Sequence, residues 1–207
     1  MKKLNTNFFI DLEKVDPNFD FCSDKISGIA QIAVEKKVDE TRNCPKQEQW
    51  EDYWSEIKSN KNKTPTFFNK KDNNLDKKEV FRYQGKFIES SNESLASDCA
   101  HEIIKNVLDY INIDFSSVVE LGCGNGHNLD YIKSLNKFDS INGCDFSPSA
   151  VSIIKEKGFG GFEFDMKRPS LSYLNENKLN NKDTIFFTSG SMEQLGAQWD
   201  SLFTFFS

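Results

Sequence analysis

The stretch Val118-Val119-Glu120-Leu121-Gly122-Cys123-Gly124-Asn125-Gly126 decides the fold. Val118, Val119 and Leu121 form a short apolar run that reads as a buried strand, and the chain then breaks into alternating glycines. A helical pattern follows over about 128–135. Strand, glycine turn and helix together let a backbone come within van der Waals distance of a nucleotide-like ligand. The spacing selects among ligands. A dinucleotide fingerprint needs Gly-x-Gly-x-x-Gly, whereas here the third glycine comes one residue early and His127 stands where Gly or Ala is wanted.

Three further strands line up behind this one. Ile141-Asn142-Gly143-Cys144-Asp145 ends in an acid nineteen residues after Gly126. A carboxylate at the tip of the second strand of a βαβ unit, about 20 residues on, can accept hydrogen bonds from two ribose hydroxyls. Ser147 then caps a new helix, with Pro148 in its first turn, where a missing N–H costs nothing. Phe162-Glu163-Phe164-Asp165-Met166 alternates as a third strand with an acid at its end. Asp183 to Ser189 is apolar on both faces, as a buried parallel strand should be. The loop from Ser189 to Leu195 then lies at the carboxyl end of the sheet, where open α/β folds bind ligands. One helix is expected from Met192 to Phe206. The fold class is therefore α/β, a parallel sheet with flanking helices.

The pattern Glu-x-Gly-x-Gly-x-Gly at 120–126 resembles motif I of the class I S-adenosylmethionine (SAM)-dependent methyltransferases. The resemblance covers roughly residues 94–207 and implies a Rossmann-like sheet with strand order 3-2-1-4 and SAM as cofactor. It implies that Glu120 fixes the methionyl amino group, and that Gly122, Cys123, Gly124, Asn125 and Gly126 pack against the methionine and ribose. It implies that Asp145 holds the ribose hydroxyls, that Phe146 and Ser147 lie beside the adenosine, and that Asp165 and Met166 meet the adenine. Ser189 joins this set, with Glu193 a candidate for substrate. The loop lacks the Asn/Asp-Pro-Pro-Tyr/Phe motif of many methyltransferases that act on the amines of DNA bases. The implied activity is methyl transfer to a small-molecule acceptor such as a sugar or metabolite hydroxyl. The alternative is a non-catalytic or incomplete SAM-binding domain.

The family's sheet has seven strands, and four are legible here. Three accounts of the difference stand open. The chain is a piece of a longer protein, it forms a homodimer through the exposed fourth strand, or the N-terminal segment covers that edge.

Residues 1–90 read as an N-terminal extension of helices and irregular chain, and 91–207 as the SAM-binding domain. Helices are expected over Lys25–Val38 and over Gln47–Ile57, where Trp50, Tyr53, Trp54 and Ile57 form a packing stripe. Seven lysines punctuate 58–78, a solvated Lys/Asn-rich loop. Arg82 and Tyr83, in an aromatic and basic segment, are candidates for contact with substrate. A helix over Ser94–Ile111 should bury Leu95, Cys99, Ile103, Ile104, Val107, Leu108 and Ile111.

With 32 acidic against 26 basic residues the net charge is −6, which argues against a nucleic-acid partner. No apolar run is long enough to span a membrane. Five cysteines without a Cys-x-x-Cys pair fit reduced thiols and a cytoplasmic protein. Two histidines without suitably spaced partners offer no metal site.

Overall fold

The computed structural model describes residues 20–21, 47–60, 79–83, 86–90, 94–111, 115–176, 179 and 183–206. The helix expected over 25–38, most of the Lys/Asn-rich loop, Cys22 and Cys44 lie outside them. The chain divides into two compact units, residues 1–42 with 65–112, and residues 43–64 with 113–207.

The first unit holds a small antiparallel sheet. Its strands are β1 (Asp20–Phe21), β2 (Glu79–Tyr83) and β3 (Lys86–Ser90), in the order β1-β3-β2. The N-terminal extension, expected as helices and irregular chain, thus also holds this short sheet. Val80, Phe81 and Tyr83 with Phe87 and Ile88 are β-branched and aromatic residues in two short runs, which suit a hairpin. Helix α2 (Leu95–Ile111) belongs to the same unit. It buries Leu95, Cys99 and Ile104, but Ile103 is 45% exposed and Val107 37%, contrary to the expected apolar face.

The second unit carries the parallel sheet. It contains α1 (Gln47–Ser59), β4 (Ser117–Leu121), α3 (His127–Ser134), β5 (Ser140–Asp145) and α4 (Pro148–Glu156). There follow β6 (Gly160–Glu163), α5 (Leu171–Glu176), β7 (Thr184–Phe187), a 3-10 helix (Met192–Gln198) and α6 (Asp200–Phe206). The strand order is β6-β5-β4-β7, all parallel, which is the expected 3-2-1-4. The boundary expected near residue 90 falls elsewhere. Helix α2 groups with the hairpin, and α1 groups with the parallel sheet because Trp54 and Ile57 pack on Ala150 of α4.

Strand β4 is buried along its whole length. Alternation divides it: Val119 and Leu121 enter one core with Cys144, Phe162 and Phe164, while Glu120, one step out of phase, meets Asn128 of α3. On that second face Leu129 and Ile154 pack with Cys123 and Phe159. The single C-terminal helix expected from Met192 is two pieces. Gly196, at φ 56° and ψ −129°, breaks it, leaving a 3-10 turn and then α6. Helix α6 returns aromatic residues to the sheet, with Phe206 on Phe186 at 4.9 Å between ring centroids.

Ile154 is fully buried, and its Cγ2 would lie 2.8 Å from a Cβ at Gly126. It therefore holds α4 against the glycine turn. Truncation of Ile154 to Ala should destabilise this unit by about 2–5 kcal/mol. The check is a lower denaturation midpoint in urea with an unchanged slope.

Candidate ligand site at the glycine turn

The turn after β4 is built from backbone. The N–H groups of Gly122 and Cys123 both donate to the Cys144 carbonyl, at 2.8 and 3.0 Å, tying the turn to the end of β5. Gly122 and Gly124 have φ values of 71° and 51°, the left-handed region that favours glycine. They are also crowded. A Cβ at Gly122 would lie 2.6 Å from the Ser191 side chain, and one at Gly124 would lie 2.5 Å from the indole of Trp54. Cys123 and Cys144 are buried free thiols, and burial pushes both well above the ordinary thiol range.

Glu120 is 1% exposed. Asn128 donates to its Oε1 at 2.6 Å, while its Oε2 is buried with no hydrogen-bond partner. Burial pushes the carboxyl up to about 8. The Asn128 hydrogen bond works against this and the nearby charge of Asp145 adds to it. An unpartnered buried carboxyl oxygen is costly, and an ammonium group placed there would relieve it.

Asp145 is 5% exposed. Its Oδ2 accepts from Gly124 N–H and its Oδ1 from Ser147 N–H, each at 3.0 Å. Burial raises its pKa, opposed by the N–H groups of Ser147, Gly124 and Phe146. A carboxylate has about four lone-pair positions, so each oxygen keeps capacity for a further donor. The acid thus holds the glycine turn and the start of α4 together and still presents acceptors.

The other expected residues divide. Ser147 is the N-cap of α4, its Oγ accepting from Ala150 N–H at 3.0 Å. Asn125 turns its Oδ1 to His127 N–H at 3.3 Å, and so serves the entry to α3. Phe146 and Ser189 are half-buried beside the strand ends. Met166 is buried, and its Cε lies 3.2 Å from where a Cβ at Gly122 would be. Asp165 accepts from Lys167 N–H at 2.9 Å and from Arg168 Nε at 3.1 Å, so its carboxylate is engaged within its own loop. Arg82 and Tyr83 lie on β2 of the other unit, opposite Phe87 and Lys86, and only their backbone is described. Glu193 lies in the 3-10 helix, and its side chain is outside the described residues.

Four residues of this site were not legible as such. Asn128 partners Glu120 from the first turn of α3. Ser191 donates to the Leu121 carbonyl at 2.9 Å and pairs with Thr188, fastening the loop after β7 onto the turn. Glu51 and Trp54 come from α1. Glu51 accepts from Ser147 Oγ at 2.5 Å and from Ser149 Oγ at 2.6 Å. Burial opposes the Glu51 charge, but these hydroxyls, Ser149 N–H and Lys58 outweigh it and lower its pKa. Trp54 carried a signal, as part of the aromatic stripe on α1, but one that reads equally as packing.

Among the described residues no group of His, Cys, Asp and Glu is arranged to hold a metal, and no helix is long and apolar enough to cross a membrane.

No family model matches the sequence, and no curated protein does. Among solved structures the chain is similar to a SAM-dependent methyltransferase from Anabaena variabilis, at 14% identity and TM-score 0.40, covering 74% of this chain and 55% of that one. It is also similar to SAM-bound CalS10, an amino pentose methyltransferase from Micromonospora echinaspora, at 16% identity and TM-score 0.37, covering 52% and 47%. A third is DesVI from Streptomyces venezuelae, at 18% identity and TM-score 0.35, covering 50% and 43%. The chain thus spans about half the length of these structures.

Because the folded pKa of Glu120 lies above its ordinary value of 4.5, the folded protein holds a proton that the unfolded chain releases. The associated stability is complete below pH 4.5 and is lost as pH rises toward 8. Over that window the loss is roughly 3–5 kcal/mol. Glu120→Gln keeps an acceptor for Asn128 and removes the titration. Melting from pH 6 to 8.5 should show a falling midpoint in the wild type and a much flatter one in the variant. Parallel curves would reject the assignment.

Proposed function

We propose that this chain binds SAM at the glycine turn and transfers its methyl group to a small-molecule acceptor, a sugar or metabolite hydroxyl. The observation that carries the reading is the buried Glu120 Oε2, which has no partner and lies two residues before the first glycine. An α-ammonium group satisfies it. Asp145, at the end of the adjacent strand, keeps acceptor capacity for a ribose diol while its present bonds hold Gly124 and Ser147 in place.

SAM supplies a methyl group already activated on a sulfonium. The residues then have to bind, orient and exclude water. Glu120 anchors the amino end and Asp145 the ribose. Met166 and Phe146 supply apolar surface for the adenine, and Asp165 stands beside them. With the cofactor held at both ends, an acceptor oxygen lined up with sulfur and methyl needs little further reorganisation. The acidic balance of the chain favours a neutral or cationic acceptor over a polyanion.

Calorimetric titration tests the cofactor directly. SAM should bind at micromolar levels and NAD not at all. Asp145→Ala should weaken SAM by about 1–3 kcal/mol, roughly 5- to 150-fold. Unchanged affinity in that variant would reject the role of Asp145. Transfer is read separately, as S-adenosylhomocysteine released in the presence of a panel of hydroxylated acceptors.

A further inference from the structure

We propose that helix α1 is a hinged lid over the glycine-turn site, seated by Trp54 on Gly124 and latched by Glu51 on Ser147 and Ser149. This deepens the cofactor reading and rests on it. Asp145 has two backbone donors, Gly124 N–H and Ser147 N–H. Helix α1 touches both donor residues: the Trp54 indole lies against Gly124, and Glu51 grips the Ser147 hydroxyl. It therefore lies across the carboxylate best placed to meet a ligand, and Asp145 is 5% exposed beneath it. Gly124 is not an open approach surface, because the indole edge occupies the space a Cβ would take. A ligand that uses this face has to move the indole aside or slide beneath it.

The contacts that seat α1 suit a part that opens. Trp54 and Ile57 are the buried hydrophobic residues of the helix, and they pack on Ala150 of α4 with Trp50, Tyr53 and Ile153 partly buried around them. The latch is one carboxylate receiving hydrogen bonds from Ser147 Oγ, Ser149 Oγ and Ser149 N–H. Glu51 itself is only half-buried, so water can take over its bonds on opening. The parallel sheet, by contrast, is buried through β4 on both faces. An element held by few buried side chains and a partly wetted hydrogen-bonded clasp opens at lower free energy than the core.

A lid controls rates more than equilibrium. In stopped-flow experiments with SAM, Glu51→Ala should raise both association and dissociation rates by about five-fold or more, with the dissociation constant changing less than either rate. Rates equal to wild type in a variant that binds SAM normally would overturn the lid and leave the cofactor site standing. A second measurement uses the unaltered chain, in case the variant folds poorly. Amide exchange over Gln47–Ser59 should slow when SAM is added, together with Gly122–Gly126. Slowing at the glycine turn without slowing in α1 would overturn the lid alone. Absence of SAM binding by calorimetry would overturn both.

Discussion

Two carboxyl groups buried at neighbouring strand ends set the terms for this unit. The charge of Asp145 raises the pKa of Glu120, that of Glu51 raises the pKa of Asp145, and each buried acid shows a different answer to a region that water scarcely reaches. Asp145 gathers backbone N–H groups, which cost the fold nothing extra because they belong to turns that need partners anyway. Glu120 has one amide donor and an oxygen with none, and takes up a proton near neutrality. A fold under selection for stability alone would replace Glu120 by an apolar residue, because an unpaired buried carboxyl is among the costlier groups a core can hold. Beside three left-handed glycines, it stands where the ammonium group of the proposed ligand would satisfy it.

The glycines show how local geometry and tertiary crowding converge. Gly122 and Gly124 sit where φ is positive, which already selects glycine. Each also faces a side chain delivered from far along the sequence, Ser191 and Trp54 respectively. The turn is thus clamped from two sides, by the loop after β7 and by α1. Ser191 Oγ adds a bond to the Leu121 carbonyl, the last residue of β4.

The parallel sheet was legible because its signals are local. Apolar runs of strand length, a glycine turn and the Ser147-Pro148 cap each act within a few residues, whereas the strand order came from the family resemblance. Asp145 was legible for the same reason. What escaped was everything set by distant packing. The hairpin of β2 and β3 has no Asn-Gly or Asp-Gly turn, and Gln84-Gly85 is a weak marker between aromatic and charged residues. The apolar stripe of α2 predicted burial at Ile103 and Val107, but amphipathic pattern states what a helix can bury and not what it meets. Gly196 was hidden inside a mixed polar and apolar run that otherwise reads as helical. Asp165 falls two residues past the end of β6, not at the strand end as expected, and Arg168 and Lys167 draw its carboxylate into its own loop.

Helix α1 makes the same point at the level of the site. Its aromatic residues advertised a packing face, and packing is what they do, with Trp50, Tyr53 and Trp54 in mutual ring contact. No periodicity announced that the surface they pack on is the glycine turn itself. Glu51 is legible only in retrospect. A carboxylate at the start of α4 is favoured by the helix dipole and by the free N–H groups there, and the chain supplies it in trans from a helix nearly a hundred residues upstream. Ser147 is the pivot, since its hydroxyl accepts from Ala150 N–H as a cap and donates to Glu51 as a clasp, while its backbone N–H serves Asp145. One serine therefore connects helix α4, helix α1 and the buried acid.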